Sequence, residues 1–434
     1  MVIPNPDMSS VHWASTSKEL PVRDSQLCDS TEFDLAVVGA GFCGLSVALG
    51  AAKEGMSVLL LDAGAVGCGA SGRNGGIVVP HFPGALLPSQ VKKIVGPHRA
   101  ERLMQLVENG PTYVFRQAEE YGIQCDAKQG GWIQPAHSEK SLGLVRKIFD
   151  EWKAQGRKAE WLDREAIGDA TGATGYLGGW KDKTGGIVNP YALSQGLARV
   201  VQQYGGTLKQ NCCVHTISRN GSAYVLSTQH DEYHARKVAI TTNAYTTDLY
   251  PELSRSIIPV RLFHAFTRPL SEEERQVVLP RNISFTDLRK SGGFARLDES
   301  NRLLTGGAVL TIGNSKSYSL QHGKRRIAEL FPQLKGIEIE SYWEGHCALS
   351  PTFLPAIHKL DKDVYSVLGF STRGVALTQS LGQELGRFLA ESMPEADLPF
   401  GPTPVKSLPF QRTKKFLGGL VFPFYQARDA LGLS

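Results

Sequence analysis

Residues 33–44 read FDLAVVGAGFCG, and no other stretch constrains the fold as tightly. FDLAVV is β-rich and mostly apolar, as a parallel strand buried on both faces should be. Glycines follow as Gly39-x-Gly41-x-x-Gly44. The first permits a tight turn, the second lets a pyrophosphate approach the backbone, and the third lets a helix pack against the sheet. Residues 45–54 carry a helical pattern that Gly55 closes. Residues 56–61 make a second apolar strand ending at Asp62, whose carboxylate suits ribose hydroxyls. This is a βαβ unit of about 30 residues for a dinucleotide, with the pyrophosphate facing the helix N-terminus. Residues 33–52 are apolar over about the length of a membrane span. Asp34 and the glycines at 39, 41, 44 and 50 favour a strand turning into a buried helix instead.

The next segment separates FAD from NAD. A nicotinamide-binding unit would continue βαβ after the second strand. Here residues 67–76 read GCGASGRNGG, a second glycine-rich loop with a hydroxyl, an arginine and an amide. Its backbone donors can cradle a pyrophosphate or a flavin ring, with Arg73 or Asn74 touching the ring or the phosphates. Far along the chain, residues 369–377 read GFSTRGVAL, the end of a strand and the start of a helix. That helix N-terminus, aimed at the flavin C2 carbonyl, would stabilise negative charge on the reduced ring.

Between these landmarks, helices are expected over residues 99–121, 139–155 and 190–204. Strands follow at 208–217, 223–228 and 237–242, with Asn220-Gly221 as a hairpin turn. Residues 251–340 read as an antiparallel sheet covering a pocket, with strands at 256–265, 293–297 and 302–306 and a helix at 322–331. Residues 364–369 form a buried strand and 374–392 a long helix. The formal net charge of +5 is too mild for a nucleic-acid partner. Seven cysteines without a CxxC pair argue against a zinc site, and no metal is expected. The odd count fits a reducing compartment, and the N-terminus has no secretory pattern, so a cytoplasmic location is expected.

The segments DLAVVGAGFCGLSVAL, VGCGASGRNGG, VAITTNAYT, RLLTGG, WEGHCALSPTFLPAI and GFSTRGVALT run in order over roughly residues 33 to 390. Together they resemble the FAD-dependent amine oxidoreductases of the D-amino-acid oxidase superfamily, which include glycine and sarcosine oxidases. The resemblance implies an α/β fold. A Rossmann-like, glutathione-reductase-like FAD-binding domain would comprise residues 31–84, 186–250 and 340–395. An α+β substrate domain with an antiparallel sheet would comprise 85–185 and 251–339. Residues 1–30 would form an arm anchored by Trp13, and 396–434 a tail whose amphipathic segment 416–433 packs on the core.

Residue by residue, the resemblance puts Gly39, Gly41, Cys43 and Gly44 at the pyrophosphate, and Asp62 with Ala63 at the adenosine ribose. Ser71, Gly72, Arg73, Asn74, Gly75 and Gly76 would run past the pyrophosphate and flavin. Val214, in a strand, would meet the adenine, which Thr241, Thr242 and Asn243 would close. Thr372, Arg373, Gly374, Val375 and Ala376 would face the flavin pyrimidine. Cys347 falls where sarcosine oxidases link flavin covalently; a non-covalent cofactor is expected, with that link as the alternative.

The implied activity is oxidation of a small primary or secondary amine at its C–N bond. Hydride would pass to flavin N5, and the imine would hydrolyse to an aldehyde or keto acid plus an amine. The amine would be of amino-acid, γ-glutamyl polyamine or aminophosphonate type, with oxygen or another electron acceptor as partner. His81 and His346 are candidates at the flavin face, and Arg296 is the candidate clamp for a substrate anion, ahead of Arg289. Oxidation of a tRNA base on the same fold, or flavin binding without turnover, are the competing readings.

Overall fold

The computed structural model describes residues 7–25, 31–246, 249–309, 314–409 and 422–430. Cys28 and parts of the arm and of the amphipathic tail segment lie outside the described residues.

The chain starts with a one-turn helix α1 (His12–Ser15), then β1 (Glu32–Val38), α2 (Phe42–Lys53), β2 (Val58–Leu61), α3 (Ala70–Arg73) and β3 (Ile77–Val78). Next come α4 (Pro88–Val95), α5 (Pro97–Glu120), β4 (Trp132–Ala136), α6 (Glu139–Ala154), β5 (Ala159–Asp163), α7 (Arg164–Thr171), β6 (Gly178–Asp182) and β7 (Gly186–Ile187). Then follow α8 (Pro190–Gln203), β8 (Thr207–Lys209), β9 (Thr216–Asn220), β10 (Ala223–Ser227), β11 (Glu232–Ile240), α9 (Pro251–Ser254), β12 (Ile258–Pro269) and α10 (Glu272–Val277). The remainder is β13 (Ser284–Thr286), β14 (Phe294–Ala295), β15 (Arg302–Ala308), α11 (Ser315–Leu330), β16 (Ile339–Leu349), β17 (Ala356–Asp361), β18 (Val364–Leu368), α12 (Gly374–Leu389) and α13 (Phe422–Ala430).

The main sheet has the order β17-β18-β11-β1-β2-β8, parallel except for β17 at its edge, with the β9–β10 hairpin attached to β11. β1 is central, which explains its apolar run from Leu35 to Val38. Leu35 and Val37 pack into the cluster that holds α2 and α12, while Ala36 and Val38 pack into the one that holds Tyr224 and Leu226 of the hairpin. α2 is enclosed, with every residue from Phe42 to Ala52 buried. α12 reaches it closely: a Cβ on Gly386 would lie 2.4 Å from the Val47 carbonyl oxygen. This contact ties the C-terminal part of α12 to the middle of α2. Among the described residues no helix is long and apolar enough to cross a membrane.

A three-stranded antiparallel sheet, β15-β12-β16, stands over the C-terminal ends of the main strands. Its third strand carries WEGHCAL, pairing Cys347 with Val260, His346 with Arg261 and Trp343 with His264. A five-stranded mixed sheet, β14-β13-β4-β6-β5, flanks it.

Three expectations about elements need correction. Residues 208–217 are not one strand. Asn211 takes a φ of 51°, and the Asn211 and Cys212 amides donate to the Gly64 and Asp62 carbonyls, which bends the chain between β8 and β9. Val214 therefore sits in a buried connection and not in a strand. Residues 293–297 give only the two-residue β14, which pairs with β13 and not with the sheet above the pocket. The helix expected at 322–331 starts earlier, at Ser315, because the Asn314 side chain accepts the Ser317 amide as an N-cap.

Candidate functional site

Five segments are stitched together at the end of β1. The Ala40 amide donates to Asp62 Oδ2 at 2.6 Å, and the Gly64 amide to Oδ1 at 2.8 Å. Burial pushes the Asp62 carboxyl up to about 6, with those two donors pulling the other way. The Phe42 amide, at the first turn of α2, donates to Ser71 Oγ at 2.9 Å and so joins the two glycine-rich loops. Thr241 Oγ1 donates to the Gly39 carbonyl at 2.9 Å, and Asn243 Oδ1 accepts the Gly369 amide at 2.9 Å. A Cβ on Gly44 would lie 1.8 Å from the Gly39 oxygen and 2.6 Å from Thr241 Oγ1. Helix and turn thus meet at backbone contact, as a pyrophosphate cradle requires.

A cavity of about 360 Å³ opens beside these contacts. One wall is the second glycine-rich loop, with Ser71, Arg73, Asn74 and Gly75, together with Asn243. Another is the start of α12, with Thr372, Arg373, Gly374 and Val375. Ser371 and Thr372 take φ values of 47° and 69° ahead of that helix, a strained pair for residues with side chains. The roof is β12, β15 and β16, with His264, His346 and Cys347; the far wall is the loop holding Asp287, Arg289 and Lys290.

The remaining expected cofactor residues lie behind this lining. Gly39, Gly41, Cys43, Gly44, Asp62 and Ala63 surround the α2 turn, while Gly72, Gly76, Thr241, Thr242, Val214 and Ala376 sit in the segments next to it.

Arg73 and Asn74 line the cavity, but their polar side-chain atoms are engaged within the protein. Arg73 donates to the Cys68, Glu344 and Asp7 carbonyls. Asn74 donates to the Ser71 carbonyl and accepts the Gly76 amide. Both stiffen the loop, leaving its backbone and Ser71 to face a ligand.

Two of the three catalytic candidates do not line the cavity. His81 is buried among Phe82, Trp152 and Trp180, and its Nδ1 accepts the Trp152 indole N–H at 3.0 Å. Arg296 is buried behind the loop, donating to the Gly76 and Val188 carbonyls at 3.0 and 2.6 Å. Every donor spent on a backbone carbonyl is lost to a substrate anion. His346 does line the cavity. The residues missed were His264, Asp287 and Lys290; no motif surrounds them, and only the charge cluster in DLRKSGG marked the segment.

Charge on the lining is mostly positive. Arg289 pairs with Asp287, which also accepts the Tyr176 hydroxyl at 3.0 Å. Lys290 lies 5.2 Å from the Tyr425 ring centroid. Arg373 donates to Thr286 Oγ1 at 3.2 Å, its Nε is buried with no hydrogen-bond partner, and burial lowers its pKa to about 10.

Three histidines share one electrostatic setting. Burial holds His264 and His322 at about 4, and His81 well below the ordinary 6.5. In the unfolded chain each takes up a proton near 6.5. Between that pH and 4 the unfolded state binds more protons, so stability falls as pH drops, by at most about 1.4 kcal/mol per unit per histidine. Asp62, raised to about 6, acts in the opposite sense. Urea midpoints should therefore decline from pH 7 to 5, and less steeply in His322→Gln. Equal slopes in the two proteins would remove this histidine as a cause.

The family model described as FAD dependent oxidoreductase (DAO) matches residues 34–387. Gamma-glutamylputrescine oxidoreductase of Escherichia coli (strain K12) is 30% identical over 428 residues, covering 98% of this chain and 99% of that protein. The solved glycine oxidase from Geobacillus kaustophilus superposes with a TM-score of 0.71 at 20% identity, over 84% of this chain and 96% of the other. L-proline dehydrogenase from P. horikoshii gives 0.68 at 18% identity, over 84% and 95%. With the turn, the two loops and the helix start converging on one cavity, the chain belongs to the FAD-dependent oxidoreductase family and is an enzyme of that class.

Proposed function

We propose that this enzyme oxidises the C–N bond of a small primary or secondary amine that carries an anionic group at its other end. FAD fits the residues present: the α2 turn has no space for a side chain, and a buried arginine nitrogen at the cavity lacks a partner. On this reading Gly39, Gly41, Cys43 and Gly44 hold the pyrophosphate, and Asp62 holds the adenosine ribose. Val214 and residues 241–243 enclose the adenine, while residues 71–76 and 372–376 hold the flavin. When bound, FAD supplies the hydride acceptor, and the oxidised amine hydrolyses in water.

The observation that carries the proposal is the net-positive lining of the cavity, where Lys290 lies beside the Arg289–Asp287 ion pair and Arg373 stands at the α12 start. It attracts a carboxylate or phosphonate. It also repels a substrate ammonium, which favours the neutral amine that C–H cleavage needs. His264, kept uncharged by burial, adds a polar contact without adding to that repulsion. Amino acids, γ-glutamyl polyamines and aminophosphonates satisfy these demands. The Escherichia coli relative is named for a γ-glutamyl amine, which agrees with this class.

Burial pushes the Cys347 thiol up to about 12, which disfavours the reactive thiolate, and on this reading the flavin is held without a covalent bond. Anaerobic mixing with a panel of amines tests the reading. Flavin absorbance should bleach with amines bearing a distal anion, and at least tenfold more slowly with uncharged analogues. Acid precipitation of the same preparation should leave the yellow colour in the supernatant. Failure of every amine to bleach the flavin would exclude amine oxidation, and bleaching indifferent to the distal anion would exclude the net-positive lining as its cause.

A further inference from the structure

The arm before β1 reaches the back of the second glycine-rich loop. Trp13 of α1 is 1% exposed, and its indole N–H donates to the Asn74 carbonyl at 2.8 Å. One residue earlier in the loop, the Arg73 carbonyl accepts the Trp343 indole N–H at 2.8 Å. Two residues later, the Gly76 carbonyl accepts Arg296 Nη1 at 3.0 Å. The Arg296 guanidinium lies 4.8 Å from the centroid of the Trp13 ring, so these donors form one packed unit. Trp13 also meets Trp343 edge-on, with centroids 6.0 Å apart. The arm is pinned at two more points. The Asn189 side chain donates to the Trp13 carbonyl at 3.1 Å, and His12 meets Asp298 at 2.7 Å.

We infer that Trp13, from outside the family-matched region 34–387, is a positioning residue for the flavin. It acts through Asn74 and together with Arg296. Carbonyls at positions 73, 74 and 76 are each held by a buried donor on the side away from the cavity. The peptide planes of the loop are thereby fixed before a ligand arrives, which cuts the ordering cost of binding. The arm is thus part of the cofactor site, though it touches no cofactor atom. This rests on the assignment of residues 71–76 to the flavin made above.

The test uses full-length apoprotein, titrated with FAD and followed by flavin fluorescence, beside thermal melts with and without FAD. Trp13→Phe keeps the ring and removes the N–H donor. It should weaken FAD binding about tenfold, the equivalent of one buried hydrogen bond, and shift the visible flavin spectrum. Trp13→Ala should weaken it further. Asn74→Ala, which frees the Gly76 amide, reports on the loop itself. If Asn74→Ala changes the dissociation constant while Trp13→Phe lowers only the melting temperatures, the arm is mere packing and the inference falls. If neither variant changes the constant, the loop assignment falls, and the inference with it.

Discussion

Gly44→Ala should purify as a colourless protein. The added methyl would sit 1.8 Å from the Gly39 oxygen and 2.6 Å from Thr241 Oγ1, both well inside van der Waals contact. Neither neighbour is the end of a flexible chain. One is backbone in the turn, and the other is fixed by hydrogen bonds to the Val38 and Gly39 carbonyls. α2 must therefore lift from the sheet, at a cost of about 1–3 kcal/mol or more. The lift spoils the turn that Asp62 and Ser71 hold. The ratio of flavin to protein absorbance should fall more than tenfold, while circular dichroism still reports a folded chain. Gly168→Ala is the matching control, since no atom lies within 4 Å of its Cβ position and α7 gains a better helix former. A Gly44→Ala protein as yellow as the wild type would exclude this turn from the cofactor site.

Arg373→Met should lower kcat about 10²–10³-fold for every amine, the usual loss when a preorganised donor to developing charge is removed. Arg373 occupies the N-cap position of α12 and lines the cavity, where on the proposed reading cofactor reduction builds negative charge. The midpoint potential of the bound flavin should fall as well, because its reduced form loses a counter-charge. Stability should move the other way. The residue is half-buried, its Nε has no partner, and burial pulls its pKa down to about 10, so its charge is held at some desolvation cost. An apolar side chain of similar length removes that cost. Slower turnover with an equal or higher melting temperature is thus the expected pair of results. A drop confined to KM, and only for anionic amines, would instead assign Arg373 to the substrate.

Where backbone rules govern, the sequence could be read closely. The β1–α2–β2 unit, the two glycine-rich loops and the start of α12 followed from strand burial and from turns that need small residues. Arg296 and His81 misled for a shared reason: a titratable side chain near a motif resembles a catalytic one until its partners are known. The Gly76 and Val188 carbonyls that occupy Arg296 lie more than a hundred positions away in sequence, and the indole that occupies His81 belongs to α6. Such pairings are tertiary and leave no local trace. The far wall was legible only through Arg289, the weaker clamp candidate: Asp287 and Lys290 sit beside it in a connection between short strands, where no periodicity operates. The register of β16 against β12 likewise depends on pairing, which a period-two pattern does not specify.

The position of β11 and α12 in the chain has a consequence for biosynthesis. β1 and β2 leave the ribosome early, yet β1 lacks its other neighbour until residues 232–240 have been made. The first turn of α12 follows more than a hundred residues later. A nascent chain can therefore display the dinucleotide motif for most of its translation without being able to grip the ligand. On the proposed assignment of residues 372–376 to the flavin, capture follows the synthesis of Gly374, and a product interrupted before that point should lack the cofactor.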